Sequence, residues 1–292
     1  MVIARRLQRT IASRTEVRGI GFIHGSDVTL RFRPAGADSG IIFIRADLPG
    51  RPMVHAHIRN VIPSQRRTTI RDGEALVEMI EHVMAALAGL RIDNCAIEID
   101  APETPGCDGS SLVFTEALQA AGIVELDRLR ESLVIERAIT VRDGLGVLTA
   151  LPRGGDGLAL SYHLDYGPES SIVAQDRTLD LDPLSFAAVL APCRTFLLQT
   201  EAESLRQAGI GRRTTEADLL IFGPEGVIGN TLRFDDECAR HKILDMVGDL
   251  ALLGMDIVGA VEASRSGHRL NAALVRELVE TRDDRGAGSH AA

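Results

Sequence analysis

Hydrophobic and polar residues alternate over short runs in the first sixty positions. Val28-Thr29-Leu30-Arg31-Phe32-Arg33 is one run and Gly40-Ile41-Ile42-Phe43-Ile44 another, separated by Pro34-Ala35-Gly36-Ala37-Asp38 and followed by Leu48-Pro49-Gly50-Arg51-Pro52. A period of two between turn-forming clusters predicts strands and hairpins. From Glu74 to Leu90 the apolar positions change to helical spacing, with Gly89 where a helix would stop. A strand is expected at Cys95 to Ile99, a loop from Ala101 to Ser111, and a second helix from Leu112 to Ala121. Strands resume at Leu133 to Arg142, Leu145 to Leu151 and Leu158 to Leu164. Helices are expected at Pro183 to Leu190 and Glu201 to Ala208, with a strand near Arg194 to Leu198, and a long helix from Asp235 to Leu253 precedes a strand at Val258 to Ala263. The helix end Gly89-Leu90-Arg91-Ile92 is echoed by Gly254-Met255-Asp256-Ile257, each leading into a strand. The repeated plan points to an α+β fold of two similar domains, each a β-sheet packed on helices, with a site between them. The charged stretch Glu125 to Glu131 is the expected boundary, giving domains at 1–127 and 132–282 and a disordered tail at 283–292.

Length fits two domains, since 292 residues at about 150 per domain suggests that number. The 45% hydrophobic and 25% charged fractions are those of a globular chain with a real core. Thirty-two basic against 41 acidic residues leave a net charge of -9, and there are two Tyr, eight Phe and no Trp. Without a basic field or stacking platforms, no nucleic-acid partner is expected. Cys95, Cys107, Cys193 and Cys238 form no C-x-x-C pair and read as reduced thiols. The basic start lacks the apolar stretch of a signal peptide, and no run of about 18 apolar residues marks an integral membrane segment. The expected address is the cytoplasm.

The candidate chemistry centres on Arg240-His241-Lys242-Ile243-Leu244-Asp245. Residues four apart share a helix face, so His241 and Asp245 can present a nitrogen and a carboxylate oxygen to one cation. By spacing alone, an ordinary His-Asp hydrogen bond on a solvated face is the better reading. The other helical histidine, His82, follows Glu81, and a carboxylate beside a metal-bound water is what a zinc hydrolase needs. In isolation that pair reads as the polar side of a helix. His268, after Gly267, sits at a strand-to-helix junction and carries an imidazole able to protonate a leaving amine, or else simply starts a helix. Together they amount to a His₂Asp metal set with one acid/base carboxylate and one acid/base imidazole, the inventory of a metal-assisted hydrolase.

With these residues in hand, the chain resembles the zinc-dependent UDP-3-O-acyl-N-acetylglucosamine deacetylases, which act at the committed step of lipid A synthesis. The resemblance covers nearly the whole chain. It rests on Glu81-His82-Val83-Met84 through Asp93-Asn94, Ala101-Pro102-Glu103 to Asp108-Gly109-Ser110, Arg194-Thr195-Phe196, Leu232-Arg233-Phe234-Asp235-Asp236-Glu237 with Arg240 to Asp245 and Gly248-Asp249-Leu250, and Ser266-Gly267-His268-Arg269-Leu270-Asn271. It implies helices packed between two outer sheets and a site at the domain junction. It also implies His82, His241 and Asp245 as Zn2+ ligands, with Fe2+ accepted by the same donors. Glu81 becomes the general base, His268 the acid, and Thr195 the oxyanion partner, while Asp108 is expected to orient His268. Lys242 is expected near the phosphates of a nucleotide-sugar or acylated amino-sugar substrate, Asp165 and Tyr166 on the nucleotide side, and Phe196 against the substrate. A monomer is expected.

The departures from the family pattern lie away from this set. Gly19-Ile20-Gly21-Phe22-Ile23-His24-Gly25 places its histidine one residue late, which in a strand would turn the ring to the other face. Arg212 and Arg213 stand where the family has small, flexible residues, Leu197-Leu198 replaces Gly-Phe, and Glu78-Met79 replaces a Ser/Thr pair. They leave three readings open: the lipid A deacetylase, a diverged relative acting on another N-acylated amino-sugar conjugate, and a catalytically silent binding relative. Retention of Glu81, His82, His241, Asp245 and His268 counts against the last.

Overall fold

The computed structural model describes residues 2–288. Its two main sheets share one wiring diagram. In the five-stranded sheet the order is Thr15–Ile20, Asp27–Pro34, Cys95–Ile99, Ile41–Arg45, Met53–His55. The central strand Cys95–Ile99 runs antiparallel to Asp27–Pro34 and parallel to Ile41–Arg45. In the seven-stranded sheet Asp256–Ser264 takes the same place, antiparallel to Gly146–Leu151 and parallel to Leu158–Leu164. Ile139–Asp143 and Gln175–Leu181 complete that half as hairpin partners. The Gly-to-strand echo in the sequence is thus a repeat in space. One copy turns at Arg91 (φ 57°) and the other at Gly254 (φ 74°), each just before its central strand.

Helices fill the space between the sheets. We number them α1 (Glu81–Gly89), α2 (Leu112–Ala120), α3 (Pro183–Ser185, widening into a turn over Phe186–Leu190), α4 (Gln199–Gln207), α5 (Glu237–Leu250) and α6 (His268–Gly288). α1 packs on α5 and on α2, α2 reaches the first sheet, and α5 and α6 pack on the second. All of α1 but Ala88 is buried, as expected of a helix that is apolar on every side. Close approach of α1 and α5 depends on Gly248, where a Cβ would lie 2.1 Å from the Glu81 carbonyl oxygen. Each half also carries an excursion before its central helix: strands Val61–Ile62, Thr69–Asp72 and Ala75–Glu78 in the first, and Phe196–Leu198, Leu220–Gly223 and Gly226–Val227 in the second.

The helix expected over Glu74 to Leu90 is two elements. Ala75 and Val77 are fully buried and pair with the neighbouring strand, a period of two, and Met79 at φ 58° breaks the chain before α1 begins. The charged stretch 125–131, expected as a boundary, lies within the strand Ile123–Val134. That strand pairs antiparallel with Val2–Ile11 and parallel with Asp256–Ser264, so the chain's first strand joins the sheet of the second half. Arg6 on it bridges the halves, bonding Asp93 at 2.7 Å and Asp256 at 2.7 Å. α6 runs into the expected tail as far as Gly288, and 289–292 lie outside the described residues. The four cysteines are free thiols. Among the described residues no helix is long and apolar enough to cross a membrane.

Candidate metal centre and active site

α5 is the spine of the site. Glu237, His241, Asp245 and Asp249 recur every four residues along one stripe and are 0%, 1%, 3% and 1% exposed, so a helix that looks solvated by composition presents four buried polar side chains. His82 enters from the first turn of α1 and sets its ring edge-on to His241, with centroids 5.0 Å apart. One donor atom from each of His82, His241 and Asp245 falls within 4.8 Å of the others. Asp245 Oδ1 lies 3.3 Å from His241 Nε2 and 3.6 Å from His82 Nε2, yet it is buried without a hydrogen-bond partner. A buried carboxylate oxygen left unpaired between two imidazole nitrogens is costly unless a cation fills the gap, so these residues fit a divalent metal.

The protonation states suit that role. His241 Nδ1 faces the Cys193 carbonyl at 3.0 Å, leaving Nε2 for the cation. Burial pushes its pKa down to about 3, only partly opposed by Asp245, so the ring is neutral. Burial alone would raise Asp245, but His241 and Lys242 hold it well below the ordinary carboxylate value. Lys242 Nζ donates to Asp245 Oδ2 at 2.9 Å, on the side away from the imidazoles, and lies 5.3 Å from the centre of the Phe196 ring.

Glu81 and His268 flank the triad. Burial raises the Glu81 pKa, against the pull of His268 and His82. Its Oε2 accepts the Thr68 amide at 3.0 Å, and its Oε1 lies 3.8 Å from His268 Nε2. His268 begins α6, and its Nδ1 bonds Asp249 Oδ2 at 2.8 Å. Burial would lower this imidazole, but Asp249 and Glu81 outweigh it and raise the pKa to about 10. The carboxylate expected to orient His268 was Asp108. Instead Asp108 bonds Ser110 at 2.6 Å and Arg233 at 2.8 Å, and Asp249 holds the ring. Thr68 Oγ1 and Asn271 Nδ2 in turn donate to Asp249 at 2.5 and 2.8 Å. The sequence signal for Asp249 was its place four residues beyond Asp245, but a helical aspartate reads as a surface charge until the helix is seen to be buried.

The triad opens into a cavity of about 860 Å³ whose wall includes Glu81, Thr195, Phe196, Lys242, Tyr166 and His268. Tyr166 sets its ring edge toward Phe196, centroids 6.1 Å apart. Asp165 is not on the wall and ion-pairs with Arg265, which is. A more apolar side is lined by Phe22, Ile23, Leu197, Leu205, Ile210 and Ile221. His24 lies in a turn rather than a strand, and its Nε2 meets Glu78 at 2.6 Å. Arg213 does not line the cavity, bonding instead the Gly25 carbonyl at 2.9 Å and Asp27 at 3.0 Å.

Comparison with known proteins identifies the family. Residues 8–280 match the family described as UDP-3-O-acyl N-acetylglycosamine deacetylase. A protein of Bdellovibrio bacteriovorus named UDP-3-O-acyl-N-acetylglucosamine deacetylase is 40% identical over 94% of this chain and 90% of its own length. One of the same name from Citrifermentans bemidjiense is 39% identical over the same shares. The bifunctional enzyme LpxC/FabZ of Chlorobaculum tepidum is 36% identical over 94% of this chain and 65% of its own.

Proposed function

The chain belongs to the UDP-3-O-acyl N-acetylglycosamine deacetylase family, and on that premise we propose that it hydrolyses the N-acetyl group of UDP-3-O-acyl-N-acetylglucosamine in lipid A biosynthesis, with Zn2+ held by His82, His241 and Asp245. The observation that carries this reading is the unpaired, buried Asp245 oxygen between two imidazoles, flanked by one carboxyl and one imidazole. Fe2+ suits the same donors.

When bound, the cation supplies Lewis acidity toward the acetyl carbonyl and acidifies water. Glu81, whose raised pKa brings it nearer neutrality, takes a proton from the water that attacks the carbonyl carbon. Thr195, on the cavity wall beside the triad, donates its hydroxyl to the developing oxyanion. The C–N bond then breaks, and His268 gives the proton that turns the departing nitrogen into an amine. Asp249 keeps that imidazole charged and aimed, and acetate leaves with the free amino sugar as co-product. Lys242, Tyr166 and Phe196, which line the cavity, are assigned to the nucleotide diphosphate, with Asp165 acting there through Arg265. The apolar side suits the acyl chain. The free thiols suit a reducing, cytoplasmic setting.

The test is acetate release from UDP-3-O-acyl-N-acetylglucosamine by the protein as purified, stripped by a chelator, and reloaded with zinc. Activity lost and restored supports the reading. Release that ignores the chelator refutes the metal assignment, and no release from this substrate with release from simpler N-acetyl sugars favours the diverged relative.

A further inference from the structure

We infer that Glu237, which neither touches the substrate cavity nor donates to the cation, is a positioning residue that presets the metal site through one peptide unit, Cys193–Arg194. The inference rests on the metal reading above.

Glu237 opens α5 and is fully buried. Its Oε1 accepts the Arg194 amide at 3.0 Å and Arg194 Nε at 2.9 Å, and its Oε2 accepts the Arg233 amide at 2.6 Å and Arg194 Nη2 at 3.1 Å. One turn along the helix, His241 Nδ1 meets the Cys193 carbonyl at 3.0 Å. The carbonyl and the amide it precedes belong to the same peptide plane, and in a trans peptide they point in opposite directions. α5 therefore grips that plane at both ends, His241 on the oxygen and Glu237 on the nitrogen. A rotation that releases one bond releases the other.

The grip reaches two functional groups. On one side the Cys193 oxygen dictates that the His241 proton sits on Nδ1, which frees Nε2 for the cation. On the other side the chain enters Thr195, whose amide donates to the Gly109 carbonyl at 2.7 Å and whose carbonyl accepts Leu220 N–H at 3.0 Å. The Arg194 guanidinium, only 5% exposed, also donates to Asn230 Oδ1 at 2.9 Å and the Thr231 carbonyl at 2.6 Å. A charged pair so thoroughly bonded is a poor way to gain stability, because apolar residues of similar volume often do as well. Its value here is the fixed orientation of the peptide between the two side chains.

The experiment compares zinc affinity, by chelator competition, with folding, by thermal melting, in wild type, E237Q and the double variant R194M/E237M. The double variant removes both buried charges, so it is expected to fold while its zinc dissociation constant weakens about 10- to 100-fold, the usual effect of losing a group that orients a ligand. E237Q is expected to fall between. A folded double variant with the zinc affinity of wild type would overturn the inference. Independently of any variant, 15N spectra of zinc-stripped wild type should show His241 as the Nδ1–H tautomer, and a ring protonated mainly on Nε2 would overturn it too. A wild type that binds no zinc at all would instead refute the underlying metal reading.

Discussion

Replacing Asp249 by Asn should convert His268 from a charged acid at neutral pH into an ordinary imidazole. Asp249 supplies the shortest contact to that ring, 2.8 Å, while Glu81 and Asp245 stand farther off at 3.8 and 3.9 Å. With the carboxylate, the imidazole titrates at about 10, and without it burial pushes the value back toward or below the usual 6.5. At 1.36 kcal/mol per tenfold, that span is a net gain of about 5 kcal/mol for the charged ring, left after the surrounding carboxylates have offset burial. A general acid contributes roughly 10²- to 10⁴-fold, and the remaining carboxylates keep part of the effect, so kcat should fall about 10²- to 10³-fold at pH 8. The sign is fixed by the proton. The variant loses its acid at lower pH, so the basic limb of kcat/KM moves to the acid side and the deficit narrows as the assay approaches pH 6. A D249N enzyme whose basic limb stays in place, with kcat within threefold of wild type, would refute the assignment of Asp249 to His268.

Three further outcomes follow from the same contacts. Glu81→Gln should retain stoichiometric zinc by elemental analysis while losing about 10²- to 10⁴-fold in kcat, so loss of metal in that variant would move Glu81 from proton transfer to ligation. Gly248→Ala puts a methyl 2.1 Å from the Glu81 carbonyl, which α1 can relieve only by moving, so denaturant melts should show a loss of about 1 to 3 kcal/mol or more, together with weakened zinc binding. In the zinc-free protein the His268–Asp249 pair stabilises the fold fully below pH 6.5 and loses its contribution as pH rises through about 10, so the melting-temperature gap between wild type and D249N should be wide at pH 6 and nearly closed above pH 10.

In the sequence, spacing alone leaves His241 and Asp245 as an ordinary surface pair and His82 as the polar side of a helix. The candidate metal set therefore rests there on the combined inventory and the family resemblance, and what favours it in space is the burial of all three with donor atoms within 4.8 Å of one another. The duplicated fold was legible, since hairpin patterns and the Gly-to-strand echo are local signals. What escaped was set by partners far away in the chain. Ala75-Leu76-Val77 has no local mark separating it from the helix that follows, and only pairing with Thr69–Asp72 makes it a strand. Glu125 to Glu131 reads as a domain boundary because a strand solvated along much of its length need not show a buried stripe, and its hydrogen bonds come from Val2–Ile11. Asp108 was assigned to His268 by motif, whereas Arg233 claims it through a contact 125 residues away.

The four-residue repeat on α5 does not quite match the pitch of the helix, and the mismatch has a use. Each residue turns about 100°, so each step of four overshoots a full circle by about 40°, and from Glu237 to Asp249 the stripe precesses about 120° while climbing about 18 Å. The four buried side chains therefore fan out as a slow spiral past three walls: Glu237 meets Arg194, His241 and Asp245 face His82 of α1, and Asp249 meets the start of α6. Such a spiral has a reading frame. Inserting a single residue anywhere between Glu237 and Asp249 would swing everything beyond it by about 100° relative to everything before it and so part layers that now share one frame, whereas an insertion after Leu250 would leave the frame intact.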